Sequence, residues 1–156
     1  MAKIEIISRA VGYSEYIGDS EHLYYVYTLD NNQEFVISAL QNNAYESDAA
    51  MLTGNLWVWH EEYTQGQKDF NVADPIKNLP RQTLLEGSDA EIRAKVIEMD
   101  AAGQRINDAD LDYELPIGEA YSGNIGSDDQ NSNTPAKYIG SIASSVTNVS
   151  FDTYYV

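Results

Sequence analysis

Two residues far apart in the chain have side chains that could act together in nucleophilic catalysis. Ser132 lies in the polar run Asn-Ser-Asn-Thr, directly before an amphipathic segment, so its hydroxyl is expected at the positive end of a helix, where negative charge is stabilised. His22 begins a run of strand-forming residues, and an imidazole with a pKa near neutrality can accept a proton from a hydroxyl. The alternative is structural: Ser132 caps its helix, and His22 hydrogen-bonds a neighbouring loop.

A row of carboxylates in the second half of the chain has part of the spacing of a calcium loop. Its members fall on positions one, three, five and twelve: Asp108, Asp110, Asp112 and Glu119. The sixth position needs a glycine for the sharp turn but holds Tyr113, and Pro116 also falls inside the loop. We therefore predict no specific calcium site. The alternative is a solvated strand or turn in which Ala109, Leu111 and Tyr113 face inward.

The chain has two histidines and no cysteine, which limits other site chemistry. Without cysteine it forms no disulfide, no thiolate nucleophile and no cysteine-ligated metal site. His22 and His60 are expected on separate strands, so a metal site would need carboxylate ligands as well. The spacing of these residues does not indicate such a site. His60 precedes Glu61 and Glu62, and we interpret it as a structural histidine. We predict no metal and no cofactor.

The strongest global feature is charge: 25 acidic residues against nine basic ones give a net charge of −16. Such a surface repels nucleic acid and anionic membranes, so direct nucleic-acid binding is not expected. The charge can simply favour solubility or suit a salty habitat. The alternative is an acidic face that imitates nucleic acid toward a basic partner. Whether the partner is a small molecule, a peptide or a protein stays open.

The length of 156 residues fits one globular domain, which buries about 70% of its unfolded surface. Apolar residues make up 43% of the chain, but no apolar run is long enough for a membrane span. The first residues, MAKIEIISRA, lack the apolar core of a signal peptide. The sequence therefore predicts a cytoplasmic protein, or one exported without an ordinary signal peptide.

The elements that must position His22 are strands. Residues 3–10 alternate as a half-buried strand that ends before Gly12. The runs at 22–29 and 34–38 flank Asp-Asn-Asn, which predicts a hairpin with a short polar loop. Alternate residues of its first strand share a face, namely His22, Tyr24, Val26 and Thr28. His22 is therefore expected at the start of a central strand.

A third aromatic strand is predicted at residues 56–60, where Trp57 and Trp59 share a face. Residues 66–87 contain Pro75 and Pro80 and no sustained period, so we expect a long surface excursion there. The final residues, 151–156, could form an edge strand or a loose tail.

Two helices are predicted. Ser88 and Glu91 form a capping box at the start of a helix over 88–106, in which Gly103 permits an end or a close approach. Its apolar stripe consists of Ile92, Val96, Met99 and Ile106. The second helix is predicted over 134–147, with Thr134 as N-cap and Pro135 as the first helical residue. Its apolar stripe consists of Ala136, Ile139, Ile142, Ala143 and Val146.

Four parts of the sequence resemble a bacterial group of uncharacterised domains, some within large secreted proteins. They are the run HLYYVYTLDNNQEFVI at 22–37, the helix around 99–106, Tyr113, and the run QNSNT at 130–134. Those domains combine a histidine-led hairpin with an Asn-Ser-Asn-Ser/Thr motif that opens a helix. The order of parts is similar to that of circularly permuted papain-like peptidases and acyltransferases, in which the cysteine nucleophile follows the histidine. The resemblance implies that His22 is the base and that Ser132 occupies the nucleophile position.

The chain departs from that pattern at two places. Serine replaces cysteine at position 132, and Ser-Ala-Leu at 38–40 replaces an arginine and paired glycines. A serine hydroxyl is a weaker nucleophile than a thiolate and needs a third group that orients its base. Glu34 and Ser38, on the strand beside His22, are the candidates for that group. The expected binding residues are Asn131, Asn133 and Tyr24.

We therefore expect an α+β fold in which an antiparallel sheet is packed by the two helices, in the permuted papain-like arrangement that the resemblance implies. Two classes of function stay open. The first is a papain-like hydrolase or acyltransferase, or its inactive relative, with Ser132 in the nucleophile position. The second is a non-enzymatic acidic binding module, such as an inhibitor that covers a basic partner. The distance between the His22 imidazole and the Ser132 hydroxyl separates the two classes.

Overall fold

The computed structural model describes residues 1–10, 21–46, 54–73, 79–112 and 133–143. Its strands are β1 (Ala2–Ala10), β2 (Glu21–Thr28), β3 (Glu34–Gln41), β4 (Leu56–Glu62) and β5 (Arg81–Gly87). Its helices are α1 (Lys68–Ala73), α2 (Asp89–Asp108) and α3 (Asn133–Ala143). The predicted α+β class is confirmed. Within these ranges, no helix is long and apolar enough to cross a membrane.

The strands form one antiparallel sheet in the order β4-β3-β2-β1-β5. The predicted hairpin is confirmed, with Thr28 paired to Glu34 across its turn. Asn32 adopts a left-handed φ of 62° in that turn, a conformation that asparagine tolerates better than most residues. The turn is closed by a hydrogen bond from Asn32 N to the Leu29 carbonyl. Local sequence chemistry therefore fixes the pair of strands that carries His22.

Alternation along the strands gives the sheet two different faces. One face packs against α2 and α3 and forms the larger core, to which Tyr25, Ile37 and Val58 contribute. We call it the α2/α3 face. The other carries a smaller cluster around Tyr24, into which Phe70 of α1 packs. We call it the α1 face. The predicted grouping of Tyr24 and Val26 on one side of β2 is confirmed.

Helix α2 begins at the predicted capping box. Glu91 N donates to Ser88 Oγ, and Ser88 N donates to the Glu91 carboxylate, which satisfies two amide groups at the helix start. The helix continues to Asp108, two residues past the predicted end. Gly103 allows close approach to β4, because a Cβ at this position would lie 2.9 Å from Cγ1 of Val58. Predicted core residues Ile92, Val96 and Met99 are buried; Ile106 is partly buried.

Helix α3 begins at Asn133, so Thr134 is not its N-cap and Pro135 is not its first residue. Both residues lie in the first turn, where proline removes an N–H that has no intrahelical partner. The predicted stripe is confirmed at Ala136, Ile139 and Ala143, which are buried against the sheet and α2. Residues 144–147 of the predicted helix lie outside the described residues.

The prediction of a long excursion over residues 66–87 is wrong in part, because this segment contains both α1 and β5. Helix α1 has six residues, too few to be stable alone, and it is held by tertiary contacts that the local sequence does not reveal. Strand β5 lies at a sheet edge, directly after Pro80, and pairs Leu85 with Ile4 of β1. An edge position suits a strand that follows proline.

Candidate functional site

His22 is buried in a polar network on the α1 face. Only 3% of its surface is exposed. Its Nε2 lies 3.0 Å from Oγ of Ser38 on β3 and 3.2 Å from Oδ1 of Asp69 on α1. Ser38, one of the two orienting groups predicted from the sequence, therefore lies within hydrogen-bonding range of His22.

Asp69 is the centre of this network, and sequence reasoning missed it. The residue is fully buried. Its Oδ1 accepts a hydrogen bond from Nε of Arg9, on β1, at 2.9 Å, and its Oδ2 accepts one from Gln67 at 3.3 Å. A buried carboxylate is stable only when paired and hydrogen-bonded, and Arg9 and Gln67 meet both conditions. We call Arg9, His22, Ser38 and Asp69 the buried network.

The charges of the network follow from its surroundings. Burial lowers the pKa of His22 below its ordinary 6.5, so the imidazole is neutral at pH 7. Burial alone would raise the pKa of Asp69, but His22, Arg9 and a hydrogen bond from Ser38 outweigh it and hold that pKa well below the ordinary value. An ionised carboxylate only accepts hydrogen bonds, so the proton of the neutral imidazole lies on Nε2, facing Asp69.

That arrangement differs from the Ser-His-Asp triad in the ring nitrogen that the carboxylate meets. In a triad the carboxylate orients Nδ1 of the histidine, which leaves Nε2 free to take the hydroxyl proton. In this network Ser38 and Asp69 both meet Nε2, the atom that already carries the proton. Nε2 of His22 therefore cannot deprotonate Ser38, and Nδ1 is the ring nitrogen that can accept a proton. The contacts of Nε2 hold α1 against the sheet.

Tyr24, an expected binding residue, lies in the interior. None of its surface is exposed, and its hydroxyl lies 3.0 Å from the hydroxyl of Tyr63. Its ring stacks on the imidazole of His22 with centroids 5.7 Å apart. Burial raises the pKa of Tyr24, so the phenol stays neutral. Tyr24 extends the buried network with an apolar wall and presents no surface to a ligand.

Glu34 lies at the opposite end of the hairpin from His22. It pairs with Thr28, the last residue of β2, whereas His22 is the second. Its carboxylate accepts hydrogen bonds from Arg81 at 2.9 Å and from Thr28 at 3.4 Å. The placement gives Glu34 a role in fixing the turn end of the sheet.

Ser132 and Asn131 lie outside the described residues, so the predicted His22–Ser132 pair stays a prediction. Asn133 is the first residue of α3. The helix packs on the α2/α3 face, where the hydroxyl of Tyr25 donates to the carbonyl of Ala136. His22 lies on the α1 face, with Asp69. The sheet thus separates the body of α3 from the imidazole.

His60 has partners other than the neighbouring glutamates that the sequence suggested. Its Nδ1 lies 2.9 Å from Oδ1 of Asp100 on α2, and its Nε2 lies 2.8 Å from the hydroxyl of Tyr27. The ring also meets Phe35 edge-on. Both ring nitrogens are thereby engaged, and the histidine ties the edge strand β4 to α2. Its partners are distant in sequence, so no local signal could have identified them.

The carboxylate row after α2 forms a turn. Asp108 ends the helix, Asp110 adopts a left-handed φ of 52°, and Asp112 forms an isolated bridge with Asn55. Ala109 is exposed, contrary to the inward position predicted for it, whereas Leu111 packs against the core. Tyr113 and Glu119 lie outside the described residues. Within the described ranges, no three acidic or histidine side chains are grouped to hold a metal.

Exposed aromatic side chains lie on β4 and in the connection before it. Trp57 pairs with Leu40 of β3, and Trp59 pairs with Ser38. The prediction that the two tryptophans share a face is therefore confirmed. Trp57 is 37% exposed, and Tyr45, from the preceding connection, is 42% exposed. Sequence reasoning missed Tyr45, because its contact with Trp59 is tertiary.

Searches of protein-family models, curated proteins and solved structures found no match to this chain. Roles for the buried network and for the exposed aromatic side chains therefore rest on geometry and charge. The network has the burial and pairing of a structural element. The aromatic side chains on β4 have the exposure that binding requires.

Proposed function

We propose that this chain is a non-enzymatic acidic module that binds a basic segment of a partner protein. The observation that carries the proposal is the placement of three of its nine basic residues within the fold. Arg9 pairs with the fully buried Asp69, and both Lys3 and Arg81 pair with Glu5, which is itself 4% exposed. These bases are paired with interior carboxylates, so their charges do little to offset the acids exposed on the described part of the chain.

The exterior of the described chain is correspondingly acidic. Exposed carboxylates occur on three separate elements and in the turn after β3: Glu62 on β4, Glu86 on β5, Asp108 at the end of α2, and Glu46 in the turn. With a net charge of −16, the field around the protein attracts cationic partners and repels nucleic acid. Electrostatic attraction of this kind accelerates encounter and weakens as salt screens it.

The environment of His22 argues against a catalytic role for this residue. A general base must reach the proton that it abstracts, within about 3 Å or through one water. Only 3% of the surface of His22 is exposed, so a substrate has little access to the imidazole. An arrangement of this kind favours a binding module, or an inactive relative of the permuted papain-like enzymes, over an active hydrolase.

The proposal is tested by titrating the protein with a fluorescently labelled arginine-rich peptide, with an uncharged peptide of equal length as the control. We expect saturable one-to-one binding of the arginine-rich peptide at low salt, and a steep loss of affinity as salt rises. The uncharged peptide should not bind. Absence of binding, or association without a fixed stoichiometry, would show that the acidic surface serves only solubility.

A further inference from the structure

Strand β4 carries an aromatic group beside a carboxylate. Trp57, Trp59 and Glu61 alternate along β4 and so lie on one face, about 7 Å apart from one to the next. The ring of Tyr45 meets Trp59 edge-on, with centroids 5.2 Å apart. The hydroxyl of Tyr45 donates to Oε2 of Glu61 at 2.5 Å. We call Tyr45, Trp57, Trp59 and Glu61 the aromatic–carboxylate surface.

Contacts within the fold hold three of these side chains in place. The indole N–H of Trp59 donates to the Gln41 carbonyl at 3.1 Å, which fixes the plane of the ring. The backbone N–H of Lys68 donates to the hydroxyl of Tyr45 at 3.2 Å, while that hydroxyl donates to Glu61. A surface that is already ordered loses little conformational entropy when it binds a ligand.

Trp57 is the member whose exposure the fold does not explain. A single exposed apolar side chain needs no explanation, but Trp57 lies on edge strand β4 beside the ordered side chains of Tyr45, Trp59 and Glu61. The faces of tryptophan and tyrosine rings attract cations, and a neighbouring carboxylate adds direct charge pairing. The group therefore has the chemistry of a cation-binding site.

We propose that the aromatic–carboxylate surface binds an arginine side chain of the basic partner, an inference that rests on the proposed function. A guanidinium is planar, so it stacks on an aromatic ring while its N–H groups donate to a carboxylate. A lysine ammonium is more strongly hydrated and cannot stack in this way. The charge of the whole chain brings the partner close, and this surface selects arginine.

The two tryptophans of the chain, Trp57 and Trp59, both belong to this surface, so intrinsic tryptophan fluorescence reports on it directly. We expect an arginine-rich peptide to change the fluorescence of the parent protein with the same midpoint as its binding curve. A lysine-rich peptide of equal length should bind more weakly and change the fluorescence less. Equal affinity and equal fluorescence change for the two peptides would overturn the selection of arginine.

Substitutions locate the site. We expect Trp57→Ala to weaken binding of the arginine-rich peptide by roughly 5- to 30-fold, the range from an exposed to a desolvated cation–π contact. The matched control is Tyr138→Ala, which removes a 45% exposed aromatic side chain from α3, on the other side of the sheet. This control should bind within about twofold of the parent, since independent sites do not couple.

A second pair of substitutions removes one negative charge each, one within the aromatic–carboxylate surface and one far from it. Glu61→Gln should weaken binding about tenfold, as expected for loss of a charged hydrogen-bond partner. Glu86→Gln, on the opposite edge strand β5, should change binding by less than about threefold. Equal effects of the two substitutions, with no effect of Trp57→Ala, would refute the surface while leaving the proposed function in place. Failure of the parent to bind any basic peptide would instead refute the proposed function.

Discussion

Nε2 of His22 lies 3.2 Å from the carboxylate of Asp69, and this contact joins the central strand β2 to the six-residue helix α1. Neither side chain is more than 3% exposed. The same carboxylate accepts a hydrogen bond from Arg9 on β1, so that Asp69 links three elements. Through these contacts His22 is part of the interior framework.

Asp69→Asn should strongly destabilise the protein. The substitution preserves shape but leaves the guanidinium of Arg9, which is 11% exposed, without its buried counter-charge. Breaking a buried ion pair from one side costs about 3–5 kcal/mol of unfolding free energy. Urea unfolding measures the loss. Glu98→Gln breaks the exposed pair with Lys95 and serves as the control, for which we expect at most about 1 kcal/mol. Similar losses in both variants would contradict the structural role of Asp69.

The unfolding free energy should fall as the pH is lowered through 6.5. Histidine in the unfolded chain has a pKa near 6.5, and burial lowers the pKa of His22 in the folded protein. Between the two values the unfolded chain binds one more proton, so acid favours unfolding. Asp69, whose folded pKa lies below its ordinary 3.8, adds a second loss at lower pH. His22→Gln should remove the first loss.

Urea unfolding between about pH 8 and pH 5 measures this slope. The chain has only two histidines, so His60→Gln is the matched control and should retain the slope of the parent. If the slope disappeared in the His60→Gln variant and persisted in the His22→Gln variant, the pH dependence would come from His60, which would contradict the prediction. Identical slopes in all three proteins would show that neither histidine is responsible.

Gly103→Ala should destabilise the protein although alanine favours helices. The new methyl group would lie 2.9 Å from Val58, and overpacking of a core costs about 1–3 kcal/mol, more than the roughly 1 kcal/mol that helix propensity returns. Thermal or urea unfolding measures the net loss. In a Val58→Ala background the loss should become clearly smaller, because the obstructing methyl group is gone. An unchanged loss in that background would indicate another cause.

The elements that the sequence predicted have local causes. The hairpin follows from alternation and an Asp-Asn-Asn turn, and α2 begins at the capping box of Ser88 and Glu91. The elements that it missed, α1 and β5, depend on partners far along the chain. Prolines lie near both segments, and neither shows hydrophobic periodicity. They therefore form only through tertiary contacts with the rest of the fold.

The candidate site was predicted only in part, for the same reason. His22 on a central strand and Ser38 beside it follow from strand pairing. Asp69 and Arg9 could not be assigned to this site, since no spacing in the sequence brings four distant segments together. The permuted papain-like arrangement, which rests on resemblance, stays a proposal. Its Ser132 lies outside the described residues, and the helix that follows packs on the face opposite to His22.

The central claim, that this chain binds without catalysing, is tested most directly by the parent protein and its Ser132→Ala variant in two parallel assays. One assay measures the affinity for the arginine-rich peptide, and the other measures turnover of amide and ester substrates. We predict equal affinities, and turnover at the background rate for both proteins, because the only base proposed for Ser132 is the buried His22. Turnover by the parent that is lost in Ser132→Ala, with an unchanged melting temperature, would contradict the claim and establish a serine-dependent enzyme.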